Sequence, residues 1–279
     1  LDLRAGNKRM IFYFSATGNC RAAAEQIAEA TGDKTVSITD ILRSPKVPVY
    51  SIQNEPLGFV LPVYYDDIPT IISDFITRVG FNPEIGTYIY LVLCCADHTG
   101  LAQRKFNQLL ERDGLKLAAC YVVSSPGVHL AEGTTPDQIR EQMDRMTDEV
   151  SRIIPKIVAK KKGVFNAYKG AFAEVHTWTM GLEYKAARKT KYFSVDALAC
   201  DHCGICAGVC PGFDITMSGD PAYPVWTVPE CCLCMGCYEE CPTGAIAYKG
   251  KFPDPRYLWR LYEQKTGQSE KQEDGNSEK

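Results

Sequence analysis

Short apolar runs alternate with helix-forming segments through the first 160 or so residues. Met10-Ile11-Phe12-Tyr13-Phe14 is such a run, rich in aromatic and β-branched side chains and closed by Ser15, Thr17 and Gly18. An apolar stretch this short, bounded by turn formers, predicts a buried strand. Residues 58–63, 87–95 and 117–124 repeat the pattern. Between the first two runs, Asn19-Cys20-Arg21-Ala22-Ala23-Ala24-Glu25-Gln26-Ile27-Ala28-Glu29 is built largely from strong helix formers and meets a stop signal at Gly32. Further helices are predicted over 70–79 and 101–112, and a last one from Pro136 to about residue 162. Strands alternating with helices give an α/β fold with a doubly wound parallel sheet, whose ligands bind at the carboxyl ends of the strands.

Near residue 162 the rhythm stops and the composition changes. A chain of 279 residues is long for one domain. It divides into an α/β unit over 10–162, a basic and partly helical linker over 163–195, a cysteine-rich unit over 196–250, and a polar tail over 251–279 expected to be disordered. Around the linker, Lys156, Lys160, Lys161, Lys162, Lys169, Lys185, Arg188, Lys189 and Lys191 face only Glu174 and Glu183. The cysteine-rich unit reverses this, with Asp196, Asp201, Asp214, Asp220, Glu230, Glu239 and Glu240 against Lys249. The basic span therefore either folds back on the acidic unit and orients it or docks an acidic carrier. Trp178, Tyr184, Tyr192 and Phe193 argue that the span packs. A net charge of −3 and a pI of about 5.9 make no global case for nucleic-acid binding. No apolar run approaches the roughly 20 residues of a membrane-spanning helix. Residues 1–9 carry no pattern of their own and read as a leader or a cloning remnant.

Eight of the 13 cysteines fall into two matched runs. Cys200, Cys203, Cys206 and Cys210-Pro211 form the first; Cys231, Cys234, Cys237 and Cys241-Pro242 form the second. Each reads C-x2-C-x2-C-x3-C-P, the spacing that holds [4Fe-4S] clusters in two-cluster bacterial ferredoxins. Three cysteines two residues apart wrap a loop around three irons, and the fourth ligand comes from the other run. That assigns Cys200, Cys203, Cys206 and Cys241 to one cluster, and Cys231, Cys234, Cys237 and Cys210 to the other. Structural zinc uses two well-separated pairs without a third cysteine at matching spacing. A disulfide framework needs an oxidising compartment, and nothing here resembles a secretory signal. Cys20, Cys94, Cys95, Cys120 and Cys232 sit in contexts that suit buried thiols, so a reducing cytoplasm is the expected location.

The loop Ser15-Ala16-Thr17-Gly18-Asn19-Cys20 lies where the first strand hands over to a helix. Unpaired N–H groups and the helix dipole favour an anion there. Ser15, Thr17 and Asn19 supply neutral donors, and Gly18 lets the backbone come close. The competing reading is an ordinary capped helix, because Ser, Thr and Asn are common caps.

This loop resembles the flavodoxin phosphate motif S/T-x-T-G-N-S/T. With the two cysteine runs behind it, the chain is similar to the flavodoxin–ferredoxin fusion proteins, the EFR family, over roughly residues 10–250. The resemblance implies a flavodoxin-like sheet in the order 2-1-3-4-5, non-covalent FMN, and a small α+β ferredoxin-like domain carrying two [4Fe-4S] clusters. Cys20 departs from the motif, and a thiol is a weaker donor than the usual hydroxyl. The resemblance also implies two further loops around the flavin ring. One holds Pro62, Val63, Tyr64 and Tyr65, with either tyrosine a stacking partner. The other holds Cys95, Ala96, Asp97, His98 and Gly100. Asp66 and Asp67 either lower the flavin potential by Coulomb repulsion or cap the helix that starts near Pro69. His98 and His129 are flavin donors, proton relays or surface histidines. Catalytic roles are open, with Tyr64, Tyr65 and His98 as candidates.

The leading expectation is an electron-transfer flavoprotein of the oxidoreductase class, passing electrons between clusters, FMN and a redox protein such as a ferredoxin or a reductase. The alternative is an FMN-dependent reductase of a small organic substrate, fed by the clusters. A redox sensor is a third reading, without a DNA-binding motif behind it. No G-x-G-x-x-G fingerprint occurs, so a dedicated nicotinamide domain is not evident. A homodimer is a further possibility.

Overall fold

The computed structural model describes residues 9–45, 49–52, 55–83, 86–127 and 136–253. The first part runs β1 (Met10–Tyr13), α1 (Asn19–Thr31), β2 (Lys34–Ser37), α2 (Ile38–Arg43), β3 (Val49–Ile52), β4 (Leu57–Pro62), α3 (Thr70–Arg78) and β5 (Gly80–Pro83). It continues with β6 (Ile89–Cys95), α4 (Ala102–Glu111), β7 (Ala119–Ser124), α5 (Pro136–Val158) and β8 (Gly163–Phe165). Six of these strands make one all-parallel sheet in the order β2-β1-β4-β6-β7-β8. Counted along the chain within the sheet, the order is 2-1-3-4-5-6: the flavodoxin-type winding with one strand added. The strand order reverses between β1 and β4, and such a switch point leaves a crevice at the carboxyl ends of the strands. β3 and β5 form a separate parallel pair.

Side chains alternate across a strand, so each strand feeds two cores. Ile11, Val60, Tyr90 and Val92 pack under α1 and α5, while Phe12, Phe59, Leu91 and Leu93 pack on the opposite face toward α2, α3 and α4. Phe12 is fully buried among aromatic rings, with centroids at 4.9 Å from Tyr50, 5.5 Å from Phe75 and 5.6 Å from Phe59. Phe12→Ala removes the ring at the centre of that cluster and is expected to cost about 3–5 kcal/mol, read as a lowered urea midpoint with an unchanged slope.

The sheet runs past residue 162, the expected edge of the α/β unit. Tyr88 and Tyr121 both donate to the Lys161 carbonyl, at 2.8 and 3.1 Å, and the Phe165 ring stacks on Tyr121 at 5.0 Å. These contacts place β8 in register beside β7.

Beyond it come α6 (Ala173–Ala187), a short 3-10 turn, β9 (Phe193–Val195), α7 (Ile205–Val209), β10 (Ile215–Ser218), β11 (Tyr223–Trp226), α8 (Gly236–Glu239) and β12 (Ile246–Tyr248). Two antiparallel pairs, β9 with β12 and β10 with β11, bracket α7 and α8 in a small α+β unit. Residues 193–195, read above as linker, therefore belong to this unit. Cysteines share its core: Cys206, Cys210, Cys237 and Cys241 are buried beside Ile215, Leu233, Met235 and Ile246. The tail from 254 onward lies outside the described residues. Among the described residues, no helix is long and apolar enough to cross a membrane.

Candidate functional site

After β1 the chain turns at Gly18, whose φ of 96° is open to glycine at little cost. The Ser15 hydroxyl accepts from the Gly18 N–H at 3.1 Å, which closes the turn ahead of the helix. No side chain caps α1, and no acidic residue occupies its first turn. The reading of Ser15, Thr17 and Asn19 as helix caps therefore fails. Asn19 instead donates through Nδ2 to the Pro126 carbonyl at 3.0 Å, tying the helix start to the loop after β7. The α1 N-terminus is left as a cradle of backbone donors suited to an anion.

A cavity of about 200 Å³ opens over this cradle. It is lined by Ser15, Ala16, Thr17, Asn19 and Cys20, by Pro62, Val63, Tyr64 and Tyr65, and by Cys95 and Ala96, all expected from the sequence. Four expected members do not line it: Gly18, Asp97, His98 and Gly100. Asp97 instead lines a neighbouring cavity with Glu149 and Arg152. Six lining residues were not foreseen: Cys94, Ser125, Pro126, Gly127, Leu233 and Met235. The last two belong to the second cysteine run, and a Cβ placed on Gly236 would lie 3.7 Å from that of Ala16. The anion loop and the cysteine loop thus touch. Cys20 is buried in the core under α1 and Cys95 lies at the end of β6; burial lifts both thiols, Cys95 to about 12, so they stay protonated at neutral pH.

The two tyrosines diverge. Tyr64 sits between the units, its hydroxyl held protonated by burial and then by the nearby Cys234 and Cys232 thiols. Tyr65 stacks on Tyr184 of α6, centroids 5.2 Å apart, so one of its faces is already taken. Tyr64 and Asp67 exchange backbone hydrogen bonds of 2.8 and 3.0 Å across a tight turn that holds Tyr65 and Asp66 at φ 52° and 62°. Two successive non-glycine residues at positive φ are strained and persist only when their surroundings hold them. Here the surroundings are α6 and the loop before α4: Asp66, buried, pairs with His176 Nδ1, and Leu101 N–H donates to the Asp66 carbonyl at 3.0 Å.

Neither acid caps α3, which has no side-chain cap, and neither lines the cavity. Asp67 bonds the Ile68 N–H at 2.8 Å and pairs with Lys105; burial still raises its carboxyl above the ordinary range. His98 faces Tyr168 and His176, with centroids at 5.1 and 5.9 Å, away from the cavity. His129 lies outside the described residues.

Gly100, at φ 47°, completes the clamp: a Cβ there would overlap Asp66 and lie 2.7 Å from Thr177 Oγ1. Gly100→Ala is expected to cost about 3 kcal/mol from overpacking and left-handed strain, and to free the Tyr64–Asp67 turn. Denaturant unfolding checks the first effect; faster hydrogen exchange at Tyr65 and Asp66 checks the second.

The cysteine runs are held from both units. Arg43 of α2 donates to the Cys210 carbonyl at 3.0 Å, Tyr184 to that of Cys232 at 2.6 Å, and Arg188 to that of Cys231 at 2.7 Å. Arg188 also lies 3.8 Å from Glu230, so the basic span does meet the acidic unit at this point. Burial raises most of the thiols, Cys206 to about 11 and Cys231 to about 12. The thiols also act on one another: Cys206 is raised further by Cys241, Cys203 and Cys200, and Cys237 by Cys234, Cys210, Cys231 and, across the two runs, Cys206. Backbone N–H groups of Asp214, Leu233 and Ala245 lie 3.3 Å from the sulfurs of Cys210, Cys231 and Cys241. The Cys232 thiol donates to Cys234, which holds Cys234 below its ordinary value. Among the described residues, no three metal-binding side chains close around a single metal ion. A four-iron cluster makes a different demand, since each of its thiolates binds its own iron.

No family model matches this chain, and no curated protein matches it. Among solved structures it is similar to a putative flavoprotein from Bacteroides uniformis, at 16% identity over 50% of this chain and 99% of that one, TM-score 0.31. It is also similar to oxidised flavodoxin 1 from Bacillus cereus, at 15% identity over 52% and 98%, TM-score 0.30. A protein named flavone reductase spans 97% of this chain and 93% of its own, at 10% identity and TM-score 0.30. The parallel strand order, rather than these distant likenesses, defines the architecture.

Proposed function

We propose that this chain is an electron-transfer iron–sulfur flavoprotein. In this reading FMN occupies the cavity over α1, an inner [4Fe-4S] cluster is held by Cys231, Cys234, Cys237 and Cys210, and an outer one by Cys200, Cys203, Cys206 and Cys241. One observation carries the reading: Leu233 and Met235, from inside the second cysteine run, wall the cavity whose floor is the uncapped start of α1. A flavin and a cluster placed there would be neighbours.

FMN exchanges electrons singly or in pairs and so joins one-electron clusters to two-electron chemistry. The chain's own residues do the holding. The α1 backbone with Ser15, Thr17 and Asn19 receives the phosphate, and Tyr64 fills the space between cavity and cysteine loop. The Asp66–His176 and Tyr65–Tyr184 contacts brace the turn beside the ring. Backbone donors at three of the sulfurs favour thiolates and tune a cluster's potential. Cys203 is exposed, which suits the outer run to exchange with a redox protein such as a ferredoxin or a reductase.

Anaerobic purification followed by iron, sulfide and flavin analysis tests this. The expected result is about eight irons and one FMN per chain, with flavin and clusters reduced together in a stepwise titration. Full iron without flavin would leave a two-cluster carrier with an adaptor domain and overturn the flavin half of the proposal.

A further inference from the structure

The two faces of α6 are unlike. Ala173, Thr177, Tyr184 and Ala187 face inward and are buried. The outer face carries Val175, Trp178 and Leu182, which are 63, 66 and 53% exposed, with Phe172 just ahead of the helix at 84%. Large apolar side chains at i, i+3 and i+7 form one continuous stripe, and a stripe of this kind left in water marks an interaction surface.

The charges around the stripe identify what covers it. Glu174 and Lys185 stand eleven residues apart, about three helical turns, and therefore flank Trp178 on the same face. Gly181, also on that face, has nothing within 4 Å of the place its Cβ would take, so its backbone is open to an approaching side chain. A second α6 laid antiparallel across the first brings each Glu174 toward the partner's Lys185 and offers each Trp178 the open backbone at the partner's Gly181. Opposite charges then meet twice, and the apolar stripe is buried against itself, as in the isologous contact of a two-fold dimer. A parallel arrangement would set like charges against each other. Arg104, 3.9 Å from Glu174 in the same chain, is an exposed pair of little strength and leaves the carboxylate available.

We propose that this chain is a homodimer built on the outer face of α6, with a second copy as the occupant of the stripe. The inference is independent of the flavin and the clusters.

Sedimentation of the full chain over a range of concentrations tests it. The expected result is a dimer whose dissociation constant rises roughly 30-fold or more in Trp178→Asp, as for a buried aromatic anchor. At concentrations low enough that both proteins are monomeric the melting curve should not change, since the ring is mostly exposed in the single chain. Glu174→Lys and Lys185→Glu should each weaken the dimer by placing like charges at both crossings, and the double variant should restore it. A monomer at all concentrations overturns the proposal. So does a dimer indifferent to Trp178→Asp, or a double variant no better than the single ones. Monomers that bind a different redox protein through the stripe would assign it to another partner and overturn it as well.

Discussion

Thr17→Asp is expected to yield protein that keeps its iron but carries no FMN. Thr17 lines the cavity at the start of α1, where no side chain caps the helix and no basic residue is present in the loop. Backbone donors and the dipole are therefore the main attraction for a phosphate carrying about −1.5 to −2 charges. A carboxylate on residue 17 would occupy those donors itself and repel the phosphate. At about 4 Å and an effective dielectric near 20, each unit of like charge costs about 4 kcal/mol. A loss of FMN affinity of 100-fold or more follows, even with partial screening. Thr17→Ser keeps the hydroxyl and should bind normally. Flavin fluorescence after denaturation, set against iron content, reads the result. Stoichiometric FMN in Thr17→Asp would place the flavin elsewhere or remove it from this cavity.

Cys237→Ser is expected to halve the iron content, from about eight to about four per chain, and to leave the flavin bound but slow to reduce through the clusters. Cys237 is buried at the start of α8, where its thiol is acted on by Cys234, Cys210 and Cys231. Removing it opens the inner cluster and leaves the outer ligands intact. Cys232→Ser is the informative companion. Cys232 adjoins Cys231 in sequence; its side chain, like that of Cys234, packs with the core of the α/β unit, and it donates to Cys234. It should keep eight irons and change only the potential, since a hydrogen bond to a ligand sulfur is retuned rather than a ligand lost. Iron loss in Cys232→Ser with retention in Cys231→Ser would move that ligand from Cys231 to Cys232.

Much of the α/β unit was legible because it is locally encoded. The strand at 10–13, the helix closed by Gly32, and the strands ending at Cys95 and Ser124 all follow from short apolar runs and their flanking turn formers. β2 was not read from the residues: Lys34-Thr35-Val36-Ser37 is a four-residue edge strand, polar and incompletely buried, with no apolar run to announce it. β3 and β5 are similarly short and, among the described residues, pair only with each other. β8 lies past the expected boundary because its pairing depends on Tyr88, Tyr121 and the Lys161 carbonyl, groups distant in sequence.

The site divides in the same way. The loop at 15–20 is contiguous in sequence, so its residue types announced a cradle, while the walls at 62–65 and 95–96 were expected from the family resemblance. The roles of Asp66, Asp67 and His98 were not legible, since Asp66 meets His176 across 110 residues and Lys105 draws Asp67 away from any capping role.

By itself, then, the sequence determined the parallel α/β class, the glycine turn ahead of α1 and the two matched cysteine runs, because each rests on spacing within a few residues. Only the tertiary structure decided that Leu233 and Met235 close the cavity over α1, and that α6 clamps the turn at Tyr65 and Asp66 while presenting Trp178 to water. Those arrangements arise when two separately encoded units pack together, and the periodicity of neither carries the geometry of their contact.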